Sequence, residues 1–90
     1  MIKKRSHFDI IGEILQTITE KRGRIKQTHL MYKVNLSHQL MKSCLEELIS
    51  RDMIQETRES NNIYIVIKEP GLVFLKKFKK MREFQDAFGL

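Results

Sequence analysis

Ser37, His38, Gln39, Lys42 and Ser43 bring hydroxyl, imidazole, amide and ammonium groups together in one short stretch. Gln39 offers the acceptor and donor pair that matches the edge of adenine, and Lys42 suits guanine acceptors or a phosphate. This is chemistry of recognition rather than of bond-making. Tyr32 and Lys33 precede the stretch and can bind or pair with backbone phosphate. Arg58 follows it beside Asn61-Asn62; an arginine there can enter a narrow minor groove, while the asparagines supply turn chemistry. Glu46 and Glu47 repel phosphate, which confines groove contact to the first turn or two of the segment that starts at Ser37.

The same search for catalytic groups returns little. His7, His29 and His38 lack metal-ligand spacing, and Cys44 is the single cysteine, too few for a zinc site. No glycine-rich phosphate loop and no nucleophile-base pair stands out. The expectation is no enzyme, no cofactor and no metal, with Cys44 a small core side chain.

Ninety residues suit one small domain. Lysine and arginine number 17 against 11 aspartate and glutamate, a net charge of +6 that favours a polyanionic partner. With 41% hydrophobic and 31% charged residues, the chain is too apolar to be disordered. It holds no run of about 18 apolar residues, and Met1-Ile2-Lys3-Lys4-Arg5 leads into no signal core. The expected location is cytoplasmic and nucleoid-associated, away from any membrane. Lys3, Lys4 and Arg5 read as a basic arm.

The elements that must position these groups follow from periodicity. Ile10, Ile11, Ile14, Leu15 and Ile18 recur at helical spacing, with Ser6 and Asp9 as a capping box and Gly23 as a stop, which predicts a helix over 7–21. Arg24-Ile25-Lys26 predicts a short bridging strand. A helix over 27–34 turns Leu30, Met31 and Val34 inward. After a break at Asn35-Leu36-Ser37, Ser37 caps a helix over 37–52 that buries Leu40, Met41, Cys44, Leu45, Leu48 and Ile49. Ile54 to Arg58 and Ile63 to Ile67 predict a hairpin with a four-residue tip, Glu59 to Asn62. Pro70 at the first helical position opens a last helix reaching about residue 88.

That order predicts an α+β chain: a winged helix-turn-helix of three helices plus a β-hairpin wing, with an added C-terminal helix. Residues 1–70 form the domain and its arm, and 71–90 the added helix. The last helix carries Lys76, Lys77, Lys79, Lys80 and Arg82 beside Phe74, Phe78, Met81 and Phe88, whose spacing leaves Gln85 at the missing heptad position. The small domain can absorb Leu72 and Leu75 but hardly every phenylalanine. Such a stripe predicts a coiled-coil homodimer through Phe74, Phe78, Met81, Gln85 and Phe88. A cationic amphipathic helix also suits an anionic membrane surface, but that use leaves the helix-turn-helix without a role.

The stretch from Gly23 to Ser37, above all Met31-Tyr32-Lys33-Val34-Asn35-Leu36-Ser37, resembles the small archaeal winged-helix DNA-binding proteins that dimerise through an added C-terminal helix. Leu45, Leu48 and Ile54 continue the pattern, and Gly71 with Phe74-Leu75 matches the start of the terminal helix. The resemblance spans roughly residues 8–78. Lys68 departs from it, standing where many relatives carry a capping Thr, and so does Pro70, just before the glycine. It implies a dimer that binds double-stranded DNA with the 37–52 helix in the major groove and the 58–62 wing on flanking DNA. The family contains both transcription regulators and sequence-tolerant chromatin proteins. Gln39 and Ser43 favour the regulator, and a protein-interaction adaptor on the same fold is the remaining alternative.

Overall fold

The computed structural model describes residues 5–90; Lys3 and Lys4 of the basic arm lie outside the described residues. Ser6 starts α1 (His7–Glu20) with the expected reciprocal cap: its hydroxyl accepts from the Asp9 backbone N–H, and the Asp9 carboxylate accepts from the Ser6 N–H. Ile14, Leu15 and Ile18 on its inner face are fully buried. After a turn, β1 (Arg24–Lys26) leads directly into α2 (Gln27–Val34).

Asn35 ends α2 in the left-handed region at φ 57, and its N–H returns to the Met31 carbonyl. Asparagine tolerates that conformation, and the cap redirects the chain within two residues. Ser37 then starts α3 (His38–Ser50) by accepting from the Leu40 N–H at 3.2 Å. Met41, Cys44, Leu45 and Leu48 form its buried face. Leu40 and Ile49, expected inside, are exposed instead. They flank the buried arc, and a helix packed on one side covers only the middle of its apolar stripe.

β2 (Ile54–Glu59) and β3 (Asn62–Ile67) pair antiparallel, with Glu59 opposite Asn62. The tip is therefore the two residues Ser60 and Asn61, tighter than the four-residue turn expected, and Ser60 takes φ 55. Mirror-image turns that match strand twist require such a positive φ. β1 joins the other side of β3, giving the order β1-β3-β2, with Ile25 opposite Ile65. Ile25, Ile54 and Ile65 carry the inner sheet face into the same core as the helices.

α4 (Glu69–Ala87) follows, with Pro70 in its first turn. It starts one residue earlier than expected and is preceded by Lys68, which provides no side-chain cap but pairs with Asp52. Gly71 lies so near the Met53 carbonyl that a Cβ there would overlap it, so the turn into α4 requires glycine. Leu75 and Phe78 join the core, whereas Leu72, expected to be absorbed, remains exposed. α4 rests on α1, and the two are tied at Asp9 Oδ1, which accepts from the Arg82 guanidinium at 2.8 Å.

Candidate nucleic-acid interface

The helical period that buries Met41, Cys44, Leu45 and Leu48 turns Gln39, Ser43 and Glu46 to the opposite side of α3, with His38 and Lys42 on its flank. All five are exposed. Gln39, Lys42 and Ser43 make no hydrogen bond or ion pair among the described residues, so their polar groups are free to meet a ligand. Ser37 is engaged as the helix cap; its hydroxyl accepts from Leu40 and retains its proton to donate.

Tyr32 projects from α2 with 87% of its surface exposed, which removes the alternative of a core-edge ring. Lys33 and Arg58 are exposed as well. Arg58 stands opposite Ile63, on the sheet face directed toward α3. Between that face and α3 lies a groove of about 470 Å³. Its floor is Met31, Met41, Leu45, Ile49 and Ile63; its walls include His38, Lys42, Glu46 and Glu56.

The charge of this surface is lower than the whole-chain value suggests. Within α3 one lysine faces two glutamates, a net charge of −1. Glu47 is partly masked, since its Oε1 lies 2.8 Å from His7 Nε2. The cations of the α1–β1 region divide by position. Arg24 stacks 3.9 Å from the Tyr64 ring centroid and pairs with Glu59. Lys26 instead lines a cleft with Asn61 and Asn62 at the wing tip, which sequence order did not reveal. Arg5, expected in a basic arm, is fastened inward: it pairs with Glu13 at 2.8 Å and donates to the carbonyls of Val34 and Asn35.

The residues expected at a dimer seam separate into two groups. Phe78 is only 4% exposed, with its ring centroid 5.1 Å from that of Phe8; its place in the seam is corrected, because α1 already covers it. Phe74 is half-buried, 5.5 Å from Phe8, and Gln85 is half-buried too. Met81 and Phe88 are exposed, and so is Phe84 at 60%. Phe84 was not expected at the seam; its signal was the 3–4 spacing with Met81 and Phe88. The Phe84 and Phe88 rings stack on each other at 4.8 Å. The free apolar stripe is thus Met81, Phe84 and Phe88, rotated from the predicted one by the turn of helix that α1 occupies.

Cys44 is buried, and burial first, then the Glu47 charge, pushes its thiol pKa up. A raised pKa keeps it protonated and unreactive. Among the described residues no group of three or more His, Cys, Asp or Glu is placed to hold a metal ion, and no helix is long and apolar enough to cross a membrane.

Comparison with known proteins agrees with this architecture. The profile of a family described as winged helix-turn-helix matches residues 4–86. A search of curated proteins returns no match. Among solved structures, the chain is similar to Sso10a-2, a DNA-binding protein from Sulfolobus solfataricus, at 14% identity and a TM-score of 0.81, covering 93% of this chain and 85% of that one. It is similar to F93 from STIV, a winged-helix DNA-binding protein, at 17% identity and a TM-score of 0.70, covering 90% of each chain. MepR, a transcription regulator of a Staphylococcus aureus multidrug efflux pump, matches at 11% identity and a TM-score of 0.78, with 89% of this chain and 61% of that one covered. The present chain therefore spans about three-fifths of the MepR chain. At these identities the likeness is one of fold.

Proposed function

Because the chain belongs to the winged helix-turn-helix family, we propose that it binds double-stranded DNA as a dimeric transcription regulator. The observation that carries this reading is the exposed start of α3. Gln39, Lys42 and Ser43 stand there with unpaired polar groups, on a helix whose first turn is fixed by the Ser37 cap. In helix-turn-helix proteins those positions lie nearest the base edges. Gln39 reads adenine and Lys42 reaches guanine or phosphate. His38 flanks them, and Ser37 and Ser43 add hydroxyl contacts. Tyr32 and Lys33 hold the backbone on one side, and Arg58, with Lys26 near the tip, reaches flanking DNA on the other.

Low charge on α3 supports a regulator over a sequence-tolerant chromatin protein. A helix with a net charge of −1 gains little from phosphate alone, so its affinity must come from base contacts. The dimer forms through Met81, Phe84 and Phe88, helped by the half-buried Phe74 and Gln85. Each exposed phenylalanine gains roughly 1.5–3 kcal/mol when fully covered. Two-fold symmetry then presents two α3 helices to half-sites about one helical turn apart.

One observation favours the adaptor reading: the groove beside α3 has an apolar floor and two glutamates, Glu46 and Glu56, in its walls. Fluorescence anisotropy with random duplexes, followed by selection for enriched sequences, separates the readings. Enrichment of a defined site supports the regulator, tight binding without enrichment supports the chromatin protein, and absence of duplex binding at low salt leaves the adaptor.

A further inference from the structure

Lys76, Lys77, Lys79 and Lys80 occupy four of five consecutive positions of α4. All four are exposed, and none makes an ion pair or hydrogen bond among the described residues. Arg82, one turn on, is by contrast tied to Asp9. At about 100° per residue, the lysines fan over the side of α4 opposite Gly71, Leu75 and Phe78, the residues buried against the domain. α1 lies between α4 and the helix-turn-helix, so this ridge points away from α3 and the wing. The chain thus keeps unpaired positive charge on the side opposite its base-reading helix, and that helix has a net charge of −1.

We propose that the ridge grips the phosphate backbone of a second stretch of duplex DNA, so that one protein joins two duplex segments. The proposal rests on the reading that α3 and the wing hold the first. Four ammonium groups within a rise of about 6 Å match a strand that repeats a negative charge every ~3.4 Å along its axis. A lipid surface fits less well. An interfacial helix needs an apolar face opposite its cationic one, and here that face is taken by α1. The apolar residues left exposed, Leu72, Val73, Phe84 and Phe88, lie along the same side as the lysines, so lipid cannot be met by one face and water by the other.

The full-length chain and the variant Lys76→Gln/Lys77→Gln/Lys79→Gln/Lys80→Gln decide it. A duplex anchored on beads is loaded with protein, and retention of a second, fluorescent duplex is read. Wild type retains it. The quadruple variant is expected to retain about tenfold less, with affinity for a single short duplex changed less than about threefold. The salt slope for retention should fall by about 3–4 units, near 0.9 for each phosphate no longer neutralised. A Phe84→Asp/Phe88→Asp variant should still retain the second duplex. Undiminished retention by the quadruple variant overturns the proposal, as does loss of retention in the phenylalanine variant, since the two heads of a dimer then do the joining. Equal loss of single-duplex affinity also overturns it, by placing the ridge in the first interface. If wild type retains no second duplex but binds phosphatidylserine vesicles through the lysines, the ridge serves a membrane instead. Unchanged single-duplex binding in Lys42→Ala/Arg58→Ala refutes the α3 reading separately, without touching the ridge result.

Discussion

The Phe78 ring closes directly over the backbone of Gly12, leaving no space for a Cβ. This single contact fixes how near α4 approaches α1. A Gly12→Ala variant should lose about 1–2 kcal/mol of stability: overpacking costs about 1–3 kcal/mol, and the better helix propensity of alanine returns part of it. Urea unfolding measures the difference, and an unchanged midpoint would show that the ring can move aside freely.

Phe78 and Phe84 should behave in opposite ways although both belong to the same apolar series. Phe78→Ala is expected to cost about 3–5 kcal/mol. Phe84→Asp with Phe88→Asp should leave the unfolding midpoint of the monomer nearly unaltered and abolish self-association in sedimentation. A dimer that survives both changes places the interface elsewhere.

Lys42→Ala and Arg58→Ala should each weaken duplex binding while the fold remains intact. Removing a phosphate partner lowers the magnitude of the salt slope by about one unit; removing a base partner costs about 1–3 kcal/mol and relaxes preference at one position. Anisotropy titrations across salt concentrations distinguish the two roles for each residue.

Ser37 can serve two duties, which one pair of substitutions separates. Ser37→Ala should cost about 1 kcal/mol by removing the α3 cap. Ser37→Asp should keep the cap and the stability, yet weaken DNA binding by facing phosphate with a carboxylate. Equal DNA affinity in the aspartate variant would confine Ser37 to capping.

The Cys44 thiol should resist alkylation in the native protein and react on unfolding. Its folded pKa is raised by burial and by the Glu47 charge. Above the thiol's ordinary value the unfolded chain sheds a proton that the folded chain retains, so stability is full below that value and falls as pH rises toward the folded pKa. Cys44→Ala should remove this alkaline decline, observed by thermal melts across the alkaline range.

Local rules were enough to read most of the architecture. Ser6 and Ser37 as caps, the isoleucine stripe of α1 and the β-branched run from Ile63 to Ile67 each name an element, and their order specifies the fold. What escaped the sequence depended on which surface another element had already covered. Phe78 and Phe84 are equally apolar and sit on the same helix; only the crossing at Gly12 decides that one is core and the other is exposed. Leu40 and Ile49 escaped for the same reason, since a 3.6-residue period marks the centre of a buried arc better than its edges. In the candidate interface, the types at Gln39, Lys42 and Ser43 were legible. The inward fastening of Arg5 and the position of Lys26 beside the wing were not, because both arise from contacts between distant segments.

The sheet has one further consequence, for how the protein behaves when crowded. Its outer strands are poor templates for additional strands: β1 is three residues long, and β2 carries Glu56, Arg58 and Glu59 along its length. Short, charged rims discourage edge-to-edge zippering between copies. Molecules packed side by side at high local concentration should therefore stay soluble and reversible in their contacts, with cross-β aggregation suppressed by the rims themselves.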